Sequence, residues 1–456
     1  MDERSGQTAL VLGLAKSGYA AATALLARGI QVIATDLETS PLMQQRADRL
    51  TAMGAQVVLG EHPLNLLEPV DYVVTSPGVP DTAPIIMEGK RRNRPIISEP
   101  ELAYWLYPGP YLAVTGSNGK TTTTTWVGEA LVAANIPAVV AGNIGRPLTE
   151  AVSNLNPGNW VVAEMSSFQL EYTHKFHPRV CTILNLSEDH LDRHGSFAAY
   201  AAAKAKIFAR QGRQDILILN ADDKYSSDLA AAAHSRTVFF SRRQVLTAGA
   251  WVEDGHIVLN WEGEGAVICR TAEVGIPGEH NLENALATVC LARAAGVAAP
   301  VIAGVLKSFR GVEHRCEKVA VVDGVQYIND SKGTNPDATL KAIAAFTPPI
   351  ILIAGGRDKG TDFDTLLPAI RERCRSVVLI GEAAPKIRPV LARAGFTPIF
   401  EAETLPEAVQ LAHRLARPGE TVLLSPACAS FDMFSSYEQR GQVFKQAVQE
   451  LGGDRA

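Results

Sequence analysis

Short apolar runs, each closed by a polar or glycine-bearing turn, recur along the chain and alternate with longer amphipathic stretches. Before Pro108 these runs are TALVLGL, QVIATD, AQVVLG and DYVVTSPG. They are too short for helices, rich in Val and Ile, and apolar at successive positions. That pattern predicts strands buried on both faces, hence a mainly parallel sheet with helical crossovers. A Pro/Gly break, YPGP, ends the segment. The alternation resumes with strands expected at YLAVT, AVVAGN, NWVVAEM, CTILNLS and DILILNA. Between Arg236 and Val274 it changes to TVFF, AWVEDG, HIVLNW and AVICR, which predicts a small antiparallel patch. A helix at NLENALATVCLARAA follows. From about Val312, strands are expected at QYIND, IILIAGG, SVVLIG and TVLLSPA, the last leading into a C-terminal helix. The Ala-rich run AAYAAAKAKIFA reads as a plain helix.

At 456 residues the chain exceeds one ordinary core. The breaks divide it into three α/β domains, 1–108, 109–311 and 312–456, each on a mainly parallel sheet: Rossmann-like, P-loop-type with the antiparallel patch, and Rossmann-like again. Hydrophobic residues at 46%, charged at 20% and 37 glycines fit a soluble α/β enzyme. The net charge of −5 and the absence of a basic block exclude nucleic-acid binding by bulk electrostatics. The acidic, polar start MDERSGQ does not read as a signal peptide, and no apolar run approaches the ~18 residues of a membrane span. Six scattered cysteines without a CxxC pair read as reduced thiols of a cytoplasmic protein.

The strongest chemical signal is Gly116-Ser117-Asn118-Gly119-Lys120-Thr121, between an apolar strand and a helix-forming run. Backbone N–H groups at such a turn form an anion cradle. Lys120 adds a charge for nucleotide phosphates and the Thr121 hydroxyl a ligand for Mg²⁺. The loop departs from the usual phosphate-loop pattern, which has a glycine where this chain has Val114. An ordinary glycine-rich turn is the alternative.

Other candidates also follow strands. Gly13-Leu14-Ala15-Lys16-Ser17-Gly18 approaches a dinucleotide fingerprint, and Asp36 ends the next strand where a carboxylate meets a ribose. Ser76 to Val79 is a second turn that could face the same crevice. A ligand-free turn, a nicotinamide site and a site for a nucleotide-containing substrate all stay open. Glu164 ends NWVVAEM and suits Mg²⁺ held through oxygen. His190 follows CTILNLS; a lone histidine is usually structural, but its place after a strand favours a site role. Lys204 and Lys206 read as solvent-facing charge on the Ala-rich helix, and the residues alone single out neither. NDSKGTNP (Asn329–Pro336), GGRDK (Gly355–Lys359) and SPACASFD (Ser425–Asp432) all fall at carboxyl ends of strands, where open α/β sheets bind ligands. Cys428 lacks a partner histidine in the sequence and reads as a buried thiol.

In order from about residue 10 to 445, TGSNGKTT, GNIG, EMSSFQLE, SEDHLDRH with AAAK, GEHNLENALA, EHRCE, NDSKGTNPDAT, GGRDKGTDF and SPACASFD…YEQRG resemble the Mur ligase family, in its D-glutamate-adding branch. The resemblance implies an ATP-dependent amide-bond ligase of cytoplasmic peptidoglycan precursor synthesis. It would join D-glutamate to UDP-N-acetylmuramoyl-L-alanine through an acyl phosphate. It implies a UDP site at Lys16, Ser17, Asp36 and Gly78, with Asn143 near the reacting end. It implies ATP contacts at Gly116, Ser117, Asn118, Gly119, Lys120, Thr121, Thr122, Asn284, Arg315 and Asp330. Thr121 and Glu164 would hold one Mg²⁺, and His190 with a carbamylated Lys204 a second, with Mn²⁺ as an alternative ion. Catalysis would rest on Lys120, His190 and Lys204. Thr334, Lys359, Ser430, Phe431 and Tyr437 would bind D-glutamate. Ala15 and Lys16 depart from the family's first loop, and Tyr437 stands where Phe is familiar. Small molecules are the expected partners of a monomer, with neither nucleic acid nor membrane. The rivals are a nicotinamide dehydrogenase, which leaves GSNGKT unexplained, a nucleotide-binding switch, another Mur-type ligase, and a folylpolyglutamate-type ligase, against which the intact UDP-type first domain argues; the DNPR-type segment of the diamino-acid-adding Mur enzyme is absent.

Overall fold

The computed structural model describes residues 6–358 and 361–453. Among them are three sheets, each the centre of an α/β layer. The first contains β1 (Thr8–Leu12), β2 (Gln31–Asp36), β3 (Gln56–Leu59), β4 (Tyr72–Thr75) and β5 (Ile96–Ser98), in the order β3-β2-β1-β4-β5. All its pairings are parallel. Leu10 and Leu12 pack on one face of β1, Ala9 and Val11 on the other, so both faces are covered. That is why these strands read as unbroken apolar runs.

The second sheet holds β6 (Tyr111–Thr115), β7 (Ala138–Gly142), β8 (Trp160–Glu164), β9 (Val180–Ile183), β10 (Ile216–Asn220), β11 (Arg236–Ser241), β12 (Gly249–Glu253), β13 (His256–Trp261) and β14 (Glu264–Arg270). Its order is β14-β13-β12-β11-β10-β9-β6-β8-β7. The expected antiparallel patch is continuous with this sheet, and TVFF is not part of it. β11 pairs in parallel with β10, and β12 joins β11 in parallel through Phe240–Ala250 and Ser241–Trp251. Only β12 to β14 are antiparallel. Their alternating exposure along β13 comes from having one covered face.

The third sheet runs β15-β16-β20-β17-β18-β19, with β15 (Glu317–Val322), β16 (Val325–Asn329), β17 (Ile350–Gly355), β18 (Cys374–Ile380), β19 (Ile399–Glu401) and β20 (Thr421–Leu424). β15 is an antiparallel edge on an otherwise parallel sheet. The C-terminal helix Tyr437–Gly453 buries Phe444 and Val448 against one face.

The chain folds as two compact units. One gathers the chain up to Leu186 with Ser196–Thr271 and Asn284–Val305. The other gathers Ser187–Gly195, Ala272–Glu283 and the chain from Leu306 onward. Within the first, the helix Glu99–Leu106 links the first two sheets through buried carboxylates. Glu101 accepts hydrogen bonds from the N–H groups of His174, Lys175 and Phe176. Glu99 Oε1 accepts from the Thr149 N–H at 2.5 Å and the Thr149 hydroxyl at 2.7 Å.

Burial pushes the Glu99 carboxyl from 4.5 up to about 7, although the Thr149 bonds pull the other way. A carboxyl raised in the fold binds its proton more tightly there than in the unfolded chain. Its contribution is therefore full below 4.5 and is lost as pH rises to about 7. Thermal unfolding of Glu99→Gln is expected to show a flatter dependence on pH across that window than the parent. Parallel pH curves for the two proteins would contradict the assignment.

Candidate active site

β6 lies at the centre of the parallel part of its sheet, with β8 and β9 on either side. The Gly116–Gly119 turn leaves its carboxyl end and enters the helix Lys120–Ala133. The helix ladder begins with the Thr123 N–H on the Gly119 carbonyl, so the preceding N–H groups point out of the helix start. Gly119 has a φ of +86°, and a β-carbon there would sit 2.1 Å from Asn284 Oδ1. Only glycine fits that backbone and lets Asn284 approach the loop.

Part of the expected cradle is already engaged by protein. Ser117 and Asn118 direct their N–H groups to the Asn185 carbonyl and side-chain oxygen, and Asn185 Nδ2 returns a bond to the Asn118 carbonyl. The first half of the turn is thus tied to Asn185, and the N–H groups of the helix start are the ones directed away from the helix ladder. Lys120 folds back over the loop, donating to the Gly116 and Ser117 carbonyls at 2.9 Å.

Lys204 is not the solvent-facing charge that its helix suggests. It is 2% exposed, donates to the same Gly116 carbonyl at 2.8 Å, and lies 4.7 Å from the Tyr200 ring centroid. Lys206 is exposed. The structure therefore separates two lysines that the sequence could not. Tyr200 in turn shares a 2.9 Å hydrogen bond with Ser117. Glu164, fully buried, ends β8 in register with Val114, and Asn143 Nδ2 donates to its Oε1 at 2.8 Å. Thr121 is also buried. A hydroxyl and an oriented carboxylate are hard oxygen donors of the kind Mg²⁺ takes.

In the first sheet the two expected turns do meet. Ser76 Oγ donates to the Gly13 carbonyl at 3.0 Å. Asp36 Oδ2 accepts the Leu14 N–H at 2.5 Å, so this carboxylate braces the first turn. Gly78 is exposed beside them, and Ser17 is partly covered. Lys16, Arg46 and Arg146 line one cavity of about 630 Å³. Neither Lys16 nor Arg146 has a side-chain partner among the described residues, which leaves two cations open to an anionic ligand.

In the second unit, His190 takes a left-handed backbone (φ 53°) at the start of a short helix. Its N–H donates to Asp189 at 3.0 Å, and its ring lies 3.6 Å from the same carboxylate. His190 and Thr334 line one cavity of about 380 Å³, together with Glu188, Asp189, Asp337 and Asp362. Asp330 is buried and accepts from the Ser425 hydroxyl at 2.7 Å. Burial raises its carboxyl to about 6 against the pull of Arg315. Ser430 is buried and Phe431 is 61% exposed. The Tyr437 ring packs 5.1 Å from the Lys332 ammonium. Lys359 lies outside the described residues.

Three family profiles match this chain in order. They are the Mur ligase MurD-like N-terminal domain at residues 7–98, the Mur ligase middle domain at 114–292, and the Mur ligase glutamate ligase domain at 314–428. The chain belongs to the Mur ligase family. It is 48% identical over 442 residues to the UDP-N-acetylmuramoylalanine–D-glutamate ligase of Pelotomaculum thermopropionicum, with 97% of each chain covered. It is 44% identical over 445 residues to the protein of that name from Geobacillus kaustophilus, again with 97% of each covered. Among solved structures it resembles UDP-N-acetylmuramate-alanine ligase MurC from Thermotoga maritima, with a TM-score of 0.61 at 21% identity over 97% of this chain and 99% of that one. MurF ligase from the same organism, in complex with ADP, gives a TM-score of 0.60 at 16% identity over 92% and 95%. These likenesses establish the three-domain α/β Mur ligase fold.

Asn185, Tyr200 and Arg440 were not singled out from the sequence. Asn185 lies in CTILNLS and Arg440 in YEQRG, and only their partners far along the chain reveal what they hold. Gly119→Ala is expected to cost about 1–3 kcal/mol in chemical denaturation of its unit. Asn284→Ala in the same background removes the steric clash but not the backbone strain, so part of the loss should return. Full recovery in the double variant would mean that φ at residue 119 is not a constraint.

Proposed function

We propose that this chain joins D-glutamate to UDP-N-acetylmuramoyl-L-alanine at the expense of ATP, as a small-molecule ligase of the cytoplasm. The observation that carries the reading is the phosphate loop. Its helix start, two lysines and a buried carboxylate on the neighbouring strand come together in a chain that matches D-glutamate ligases along 97% of its length.

A carboxylate is a poor acyl donor because its charge is delocalised and oxide is a poor leaving group. ATP offers the remedy. The substrate carboxylate attacks the terminal phosphorus, ADP leaves, and an acyl phosphate results. The glutamate amine then attacks the acyl carbon, loses a proton and expels phosphate. Lys120 and the helix start offset charge on the transferring group. On this reading Thr121 and Glu164 would hold one Mg²⁺, and His190 with a carbamylated Lys204 a second. The ions would compensate charge spread over the phosphoryl oxygens. Carbamylation also answers a local problem, since two ammonium groups on one carbonyl repel each other and a carbamate replaces one of them by an anion.

On this reading the turns at Gly13–Gly18 and Ser76–Gly78, with Asp36, take the UDP end, and Asn143 the reacting end. Asn284, Arg315 and Asp330 take ATP. Thr334, Ser430, Phe431 and Tyr437 take D-glutamate, joined by Lys359. The chain would act as a monomer.

Phosphate release from ATP tests the reading. Sustained turnover should require both UDP-N-acetylmuramoyl-L-alanine and D-glutamate, with L-glutamate a poor replacement. Equal ATP hydrolysis without the sugar nucleotide would instead indicate a nucleotide switch. Lys204→Ala should lose activity and recover part of it with added short-chain carboxylates, which replace the missing oxygen ligand. Lys206→Ala should stay near parental activity. Rescue at residue 206 rather than 204 would overturn the assignment of the carbamate.

A further inference from the structure

The C-terminal helix carries one residue whose burial its amphipathic pattern does not require. Arg440 is 1% exposed. Among the described residues its guanidinium makes five hydrogen bonds, none of them to a carboxylate. Nε donates to Ser331 Oγ at 3.0 Å and Nη2 to the Ser331 carbonyl at 2.7 Å. Nη1 reaches the carbonyls of Cys428 and Ala429 at 3.2 and 3.3 Å, and Nη2 also reaches Cys428 at 3.2 Å. Ser331 Oγ passes the connection on to the Tyr437 carbonyl at 2.8 Å. A third loop closes on the same point. The Arg357 and Ala429 backbones exchange hydrogen bonds at 2.9 and 3.0 Å, and a β-carbon on Gly356 would stand 3.2 Å from Arg440 Nη1.

These three loops leave the carboxyl ends of β16, β17 and β20, which are neighbours in the sheet. Two successive carbonyls held by one planar fork fix the peptide planes that lead into Ser430. A lysine could not span the same set, because its ammonium is a point donor. Burial pulls this guanidinium down to about 10, against the opposing pull of the Asp432 and Asp330 carboxylates, and burying a cation with no carboxylate in direct contact is costly. An apolar residue would avoid that cost but take this donor away from the Ser331, Cys428 and Ala429 carbonyls.

We propose that Arg440 is a positioning residue for the amino-acid substrate. It sets the 428–431 loop on the 331–334 loop and lends its charge to the binding of the doubly anionic glutamate. The proposal rests on the reading of Ser430, Phe431 and Tyr437 as the glutamate site.

The test compares Arg440→Lys, Arg440→Ala and Ser430→Ala with the parent in two half-reactions. Acyl-phosphate formation without D-glutamate is trapped by borohydride reduction, and D-glutamate dependence is read from phosphate release. In Arg440→Lys, trapping should stay within about threefold of the parent, while kcat/KM for D-glutamate falls by roughly 10- to 100-fold, mostly through KM. Added guanidinium ion should restore part of D-glutamate use in Arg440→Ala and none in Arg440→Lys, whose ammonium occupies the space. If Arg440→Ala does not fold, Arg440→Lys decides alone. A parallel loss of both half-reactions, or an unchanged KM for D-glutamate in Arg440→Lys, overturns the proposal and leaves a purely structural arginine. An unchanged KM for D-glutamate in Ser430→Ala places the amino-acid site elsewhere and removes the proposal's basis, a separate failure from that of Arg440 itself.

Discussion

The carbonyl oxygen of Gly116 accepts hydrogen bonds from two lysines, Lys120 at 2.9 Å and Lys204 at 2.8 Å. Much of the first unit follows from that crowding. Two cations gathered at one buried backbone oxygen need negative charge nearby, and the fold supplies Glu164 on the adjacent strand. The loop that presents the carbonyl must be held rigidly, which is the work of Asn185 and Tyr200 from segments that follow β9. A helix start then adds its own positive end. The result is a pocket tuned for anions before any ligand arrives, the condition for electrostatic stabilisation without reorganisation.

The parallel sheets were legible because parallel strands are covered on both faces and so write unbroken apolar runs. Every strand predicted from such a run is present. What escaped were three of the six edge strands. β15, EKVAVV, has no fully buried residue and so writes no unbroken apolar run, and β19 is only Ile399–Glu401. β5 is similarly brief at Ile96–Ser98. TVFF was assigned to the wrong kind of pairing because exposure alternates along β11, although its neighbours are parallel. Alternation reports a half-covered strand and says nothing about direction.

The site divides the same way. Loops at strand ends were readable as chemistry because glycine, hydroxyl and charge cluster there. The burial of Lys204 was not. On the Ala-rich helix it and Lys206 differ only in which face they occupy, and the resemblance to a family, not the pattern, distinguished them. Arg440 was harder still, since a basic residue on an amphipathic helix normally lies on the wet face. Its bonds reach 109 residues back to Ser331, a separation that no local pattern encodes.

In the second unit the cost of precision is visible in the backbone. His190 and Ala427 hold φ values of 53° and 59°, a region that glycine enters freely and other residues enter at about 1–3 kcal/mol. Such strain persists only where the surroundings leave no alternative. At Ala427 they do not: its N–H is held by the Gly333 carbonyl at 2.9 Å, Ser425 is tied to Asp330, and Arg440 takes the next two carbonyls. A flexible loop at this place would relax to an ordinary turn and let Ser430 wander. The strained turn cannot, so the energy stored at residue 427 measures how firmly the three strand ends have been locked into one surface.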